Sequence, residues 1–542
     1  MRVPLFAACL LGSFSLAAQS NTQAAPAKRS CRVVHAQPTD GDTALAKTDY
    51  DAALKFYRAA VDKDPASEEA WLGLVRALIG KDQVDDAQRE AQASIEKSPQ
   101  SAIAEVAAGE AAYRAADFVS MKTHASSAIS KDPCEGRGYA LAAGLYGMSA
   151  YYATEATLLN QAHRLRPDDE LIRRDWIQSL PRKERGPELA KYLEGPTALA
   201  DKDRRDLENE QAHLKSRRPG ECRIVSHSET SQIPMQPVYG DHSYPVAFGL
   251  DVALNGKKRR MQIDTGASGI VLSPAAAKRL GLTPELHLHA GGVGDEGDVD
   301  SYLTHVVSIQ IGNVEFADCT VEVLQKSKLD VDGLIGLDVF ARWLPTLDYQ
   351  NERLNLAPLP PRPDDHQPPA LNTAGATGGP PAADASDEED DKPRNAIQPA
   401  EMKNWLPILR LGHDVLLPST LNGSGKVHYV IADTGSSQTV LSTAYAREAG
   451  KLHEDSGVQF EGISGKVKKV YQLENAKLRF GMFQLTPQNY FAFDLTKLSH
   501  DEGVELSGLI GLPTLSRLSI TIDYRDNLVE LKYDPKHDVQ RF

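Results

Sequence analysis

The sequence predicts a multidomain chain: an all-α repeat array followed by two mainly-β lobes of one duplicated pattern. Three observations predict it. Pro65, Pro99, Pro133 and Pro167 stand 34 residues apart, a period at which helix pairs closed by proline repeat. The triplet Asp264-Thr265-Gly266 returns as Asp433-Thr434-Gly435, and each copy is followed some seventy residues on by one tetrapeptide, Gly333-Leu334-Ile335-Gly336 and Gly508-Leu509-Ile510-Gly511. Between the copies, residues 358–400 are rich in Pro, Gly and Ala and carry the run Asp387-Glu388-Glu389-Asp390-Asp391.

Taken in order, the chain opens with Arg2, an apolar stretch from Pro4 to Leu16 and the small residues Ala17-Ala18. Residues 1–25 are expected to be an export signal, too short to span a bilayer, so the protein is expected to be periplasmic or secreted. Phe6-Ala7-Ala8-Cys9 has the look of a lipidation box, but the apolar stretch lies mostly after the cysteine, which argues against a lipid anchor. Residues 38–180 hold the repeats. Gly41, Ala53, Tyr57 and Ala60 mark the first copy, Trp71, Leu74 and Ala87 the second, Gly109 and Ala128 the third, Tyr139 and Ala162 the fourth. Small residues let paired helices approach and large ones fill the gaps between them. Residues 181–235 read as a charged helical connector, with a helical pattern from Asp201 to Lys215.

Residues 236–357 and 401–538 form the lobes. Apolar residues precede each triplet (Met261 and Ile263; Tyr429, Val430 and Ile431), and Ile270-Val271-Leu272 and Val440-Leu441 follow. Each reads as strand, tight loop, strand, with the glycine letting the backbone close around the carboxylate. Asn255-Gly256 and Asn422-Gly423 are hairpin-turn signals at matching places, and Leu347-Asp348-Tyr349 parallels Ile522-Asp523-Tyr524. The linker 358–400 cannot bury enough apolar surface to fold, and its length lets the lobes meet. A duplicated Asp loop is one way for a chain to build a carboxylate pair from itself. Two carboxyls about 3 Å apart cannot both ionise, so such a pair holds an acid and a base together.

The repeats resemble the tetratricopeptide family, whose arrays present a concave surface to peptides or partner proteins. Here that surface faces either a partner protein or the chain's own lobes. The lobes resemble the aspartic peptidase family, nearer its retropepsin-like branch than pepsin. The resemblance implies Asp264 and Asp433 as the catalytic pair, supported by Thr265, Gly266, Thr434 and Gly435. It implies Leu334-Ile335-Gly336 and Leu509-Ile510-Gly511 as bracing turns. Gly292-Val293-Gly294 and Gly462-Ile463-Ser464-Gly465 lie where flaps belong in that family. The second lobe departs from the pattern at Ala432, small for the position before the Asp, and at Pro513, which stands where the first copy has Asp338. The implied protein is an exported aspartic endopeptidase acting on peptide or protein substrates, a monomeric pseudo-dimer that needs no metal or organic cofactor. The alternative is a non-catalytic peptide-binding or assembly module using the array and the cleft. Retention of both Asp residues, both Thr-Gly pairs and both turns argues against it.

A net charge of −14 argues against nucleic acid or an anionic membrane as the main partner, and no segment beyond the N-terminus is apolar enough to span a bilayer. Cys31, Cys134, Cys222 and Cys319 lack CxxC spacing, so disulfides suit them better than metal. Gly292-Val293-Gly294-Asp295-Glu296-Gly297 fits a dinucleotide pattern, but its acids would repel a pyrophosphate. His287 and His289 alternate on one strand face without a third ligand and read as surface residues. Lys257-Lys258-Arg259-Arg260 reads as a solvated hairpin turn.

Overall fold

The computed structural model describes residues 31–35, 37–195, 198–215, 222–239, 245–326, 329, 331–362, 393–455, 457–533 and 535. The expected export signal, the acidic run and most of the expected linker lie outside these residues. Contacts divide the chain into two units: Met1–Leu145 with Thr157–Gln178 and Ala198–Ala200, and Tyr146–Ala156 with Ser179–Thr197 and Asp201–Phe542.

The first unit is helical. Its helices include Tyr50–Lys63, Glu68–Gly80, Val84–Lys97, Ala102–Arg114 and Phe118–Lys131, each packed on the next in sequence. One set of devices recurs with the repeat. Ser67 and Ser101 cap the helices that follow them by accepting from the amides of Ala70 and Ala104. Asp49 and Asp117 do the same for Ala52 and Ser120. Thr48, Asp82 and Ala116 turn the chain in the left-handed region, with φ of 57°, 57° and 56°. Each proline falls just past a helix end, where it cannot continue the helix. The carbonyl of Pro65 accepts from Trp71 Nε1 at 3.0 Å, and that of Pro133 from the Tyr139 hydroxyl at 3.1 Å. Gly73 is required by Tyr57: a Cβ there would lie 2.2 Å from the ring. A disulfide joins Cys31 to Cys134.

The second unit holds the lobes, built around a nine-stranded and a ten-stranded sheet. A six-stranded sheet joins them, in which Trp343–Asp348 of the first lobe pairs antiparallel with Leu518–Asp523 of the second. Leu347 faces Ile520 at that seam, and both are buried. The duplication is visible strand by strand. Gly333–Ile335 lies between Lys257–Ile263, parallel, and Ile270–Leu272, antiparallel. Gly508–Ile510 lies the same way between His428–Ala432 and Val440–Ser442. Both Asn-Gly turns take positive φ at both residues, 48° and 75° in the first lobe and 50° and 76° in the second; the first closes a two-residue hairpin between Leu254 and Lys257, while the second opens a longer connection from Leu421 to His428.

Three expectations are corrected. Residues 223–234 belong to the first lobe and not to a helical connector. Arg223–Ser226 pairs with Val314–Leu324, Ser231–Pro234 pairs with Arg353–Pro358, and a disulfide ties Cys222 to Cys319. The helices Arg182–Glu194 and Asp201–Lys215 make up the connector's helical part. Residues 393–400 are not linker-like. Asn395 bridges to Tyr151 and the Ile397 amide donates to Asp526 at 3.0 Å, because an acid at Asp526 offers that backbone a partner. Lys257-Lys258-Arg259-Arg260 opens a strand, since Asn255-Gly256 alone makes the turn; its alternation places Arg260 Nε 2.8 Å from Asp251.

Candidate active site

Asp264 and Asp433 each follow the end of a strand, and the bracing turn fixes each in the same way. The amide of Asp264 donates to Ile335 O at 3.0 Å, and that of Asp433 to Ile510 O at 3.0 Å. Gly336 N donates to Gly269 O at 2.8 Å, while Gly511 N donates to the Thr439 hydroxyl at 3.1 Å. Leu334 and Leu509 are buried beneath. The asymmetry read at Pro513 has a structural counterpart. Asp338 accepts from Gly269 N and from the Ser268 hydroxyl in the first lobe; in the second, Thr439 bonds Thr514 at 2.9 Å instead.

The two loops lock through their threonines. Thr265 Oγ1 donates to Ala432 O at 2.6 Å and accepts from Thr434 N at 2.9 Å. Thr434 Oγ1 donates to Ile263 O at 3.3 Å and accepts from Thr265 N at 3.1 Å. Thr265 is 3% exposed and Thr434 1%. Each hydroxyl thus holds the other lobe's loop. The small Ala432 lends its carbonyl to this lock.

The lock brings the carboxylates of Asp264 and Asp433 within hydrogen-bonding contact of each other. Gly266 and Gly435 make room for them. A Cβ on Gly435 would sit 2.3 Å from Asp264 Oδ2, and one on Gly266 3.3 Å from Asp433 Oδ1. Asp264 Oδ1 accepts from Gly266 N at 2.9 Å. Asp433 Oδ1 accepts from two amides, Gly435 N at 2.8 Å and Ser436 N at 3.0 Å. Burial raises both carboxyls. It holds Asp264 well above the usual carboxylate range, with the charge of Asp433 adding to it. In Asp433 the amides of Gly435 and Ser436 oppose the rise. Asp264 is the more raised of the two, because the hydrogen bond they share raises Asp264 and lowers Asp433, while amides oppose the rise in both, those of Gly266 and Gly435 at Asp264 and those of Gly435 and Ser436 at Asp433.

The flap candidates meet one another. Gly292, Val293 and Gly294 lie at the tip between Leu286–Ala290 and Val299–Ile311, and Gly462 and Gly465 close a small hairpin, Glu461–Gly462 with Gly465–Lys466. Ser464 N donates to Val293 O at 3.0 Å, and Glu296 N to Ser464 O at 2.8 Å. Gly294 takes φ +134° where a Cβ would meet the Ser464 backbone. Ile463 packs on a cluster of Ala267, Val271, Leu324 and Leu334 beside the first Asp loop. His287 and His289 lie on the exposed face of their strand.

Sequence reasoning missed three residues near the dyad. His413 Nε2 lies 3.1 Å from Gly266 O, and Gln262 Nε2 donates to Gly435 O at 3.3 Å. Asp414, 3.6 Å from His413, is buried and pushed up to about 8 by that burial first and then by the charges of Glu502, Asp433 and Asp264. The duplication could not flag them. Val246 and Ala247 stand at the places of His413 and Asp414, and Ile431 at that of Gln262.

Residues 44–111 match a family model described as "Tetratricopeptide repeat". Residues 250–342 match "gag-polyprotein putative aspartyl protease", and residues 417–514 match "Aspartyl protease". The UBA domain-containing protein Mud1 of Schizosaccharomyces pombe is 30% identical over 122 residues, covering 21% of this chain and 36% of that protein. DNA damage-inducible protein 1 of Neurospora crassa is 27% identical over 118 residues, covering 20% of this chain and 26% of that protein. The chain therefore spans about a third or less of these relatives' length. Among solved structures, a retropepsin-like aspartic protease from Rickettsia conorii aligns with 25% of this chain and 94% of its own, at 21% identity and a TM-score of 0.19. An aspartic proteinase from Irpex lacteus aligns with 57% of this chain and 99% of its own, at 14% identity and a TM-score of 0.34.

Proposed function

We propose that this chain, in which a tetratricopeptide array precedes two aspartyl-protease lobes, is an exported endopeptidase with one active site made by both lobes. The carboxylate contact between Asp264 and Asp433 within a single chain carries the reading. Asp433, ionised, takes a proton from a water as its oxygen attacks the scissile carbonyl carbon. Asp264 gives its proton to the carbonyl oxygen, leaving a tetrahedral diol. As the C–N bond breaks, the amine nitrogen takes the proton held by Asp433, and Asp264 recovers one from a diol hydroxyl. Both carboxyls return to their starting state. The paired flap tips supply a cover that excludes water during these steps.

The joining sheet supports the reading of a monomer with one site, since it brings both lobes of one chain to one seam. The two disulfides favour an oxidising compartment, in keeping with export. Arrays of this kind bind proteins, so the repeats are assigned to a partner or to the substrate protein.

The test is cleavage of a diverse peptide mixture, with and without a statine peptide that mimics the tetrahedral diol. Asp264→Asn and Asp433→Asn should each lower turnover by about a thousandfold or more, because either change destroys the shared-proton pair. A large residual activity in either variant would mean that each lobe pairs with its twin in a second chain. No cleavage by the parent protein would leave the binding-module alternative.

A further inference from the structure

Both catalytic glycine carbonyls receive a side-chain donor from the opposite lobe, and the two donors differ. Gln262 of the first lobe donates to Gly435 O at 3.3 Å. His413 of the second lobe lies 3.1 Å from Gly266 O. A carbonyl only accepts, so Nε2 of His413 carries the hydrogen. Gly266 is thus held at both of its backbone groups: its carbonyl accepts from His413, and its N–H donates to Asp264 Oδ1 at 2.9 Å. Gln262 cannot change charge. His413 can, and it sits in the turn between Leu409–Leu411 and Asp414–Leu421, where Gly412 takes φ +55°.

We propose that His413 is a positioning residue for the dyad, fixing the Asp264 loop across the lobe seam and, when charged, favouring the ionised form of Asp433. The inference rests on the peptidase reading above. The groups that face the imidazole are Asp414 on its own hairpin, at 3.6 Å, Glu502 of the helix Thr496–Glu502, and Asp433 with Asp264 on the two loops. Asp414 is held largely in its neutral form at neutral pH by burial. It therefore leaves the imidazolium's field available to the dyad. The sign follows: a positive charge within electrostatic reach of Asp433 lowers its affinity for a proton, so losing that charge raises it.

Two variants separate the hydrogen bond from the charge. His413→Gln keeps an N–H donor and removes the charge; His413→Ala removes both. The acidic inflection of kcat/KM should move up by about half a pH unit in both. In the Ala variant kcat should also fall, by about tenfold, with KM little changed, and the Gln variant should recover most of that loss. The acid inflection of the dyad is read independently of turnover by NMR of 13C-aspartate in the full chain, with Asp433→Asn identifying the signal. It should move in the same direction. An unmoved inflection in both variants, or a Gln variant no better than Ala, overturns the assignment. A parent protein that cleaves nothing but whose dyad signal still shifts in the variants would sink the peptidase reading and sustain the role of His413. If the Ala variant fails to fold, the Gln variant's inflection decides alone.

Discussion

Cutting the threonine lock is the sharpest physical test of how the lobes make one site. Thr265→Val keeps the side-chain shape and removes the hydroxyl. Two buried backbone groups lose their partner, Ala432 O at 2.6 Å and Thr434 N at 2.9 Å. An unsatisfied buried polar group costs about 1–3 kcal/mol, so the change should destabilise the lobe pair by roughly 2–4 kcal/mol. Thr434→Val removes two longer bonds, at 3.3 and 3.1 Å, and should cost less, roughly 1–3 kcal/mol. The double variant should cost less than the sum. Once one half of the lock is cut, the loops separate enough to admit water and the second loss is cheaper. Because the chain holds two units, a single unfolding transition is not assumed. Amide exchange followed by mass spectrometry on peptides covering the two Asp loops reads the effect locally, alongside urea unfolding. Thr265→Ser should restore most of the loss. A Val variant within about 0.5 kcal/mol of the parent, or a Ser variant as damaged as Val, would refute the claim that these hydroxyls hold the seam.

Gly435→Ala should abolish cleavage with a small change in urea midpoint, whereas Gly266→Ala should retain a measurable fraction. The new methyl meets Asp264 at 2.3 Å in the first case and Asp433 at 3.3 Å in the second. Asp414 titrates high in the folded protein, at about 8, and in the ordinary carboxylate range when unfolded. Its contribution to stability is present below the unfolded value and is lost as pH rises towards about 8. Melting temperature against pH should therefore fall for the parent relative to Asp414→Asn across that window, and parallel curves would count against the burial argument.

Much of the fold was legible because it is periodic or duplicated. Four prolines at one spacing gave the array, since only a repeating helix pair places a helix stop so regularly. Two Asp-Thr-Gly loops with two Gly-Leu-Ile-Gly turns gave the lobes and the aspartate pair at their seam. What failed was local reading where long-range pairing wins. Residues 223–234 look like connector, yet they find strand partners some ninety to one hundred and twenty residues away. Residues 393–400 look like linker, yet they settle on Tyr151 and Asp526.

The sequence by itself singled out the candidate residues Asp264 and Asp433, because a carboxylate flanked by Thr-Gly and braced by an apolar turn is a local pattern. Only the tertiary structure decided that the two patterns form one site. It alone showed that each threonine serves the other lobe and that burial raises both carboxyls, Asp264 the more. It alone brought the unpatterned His413 and Gln262 to the glycine carbonyls. These are contacts across a seam between segments about 150–170 residues apart, and their energies depend on distances and burial that no spacing along the chain encodes.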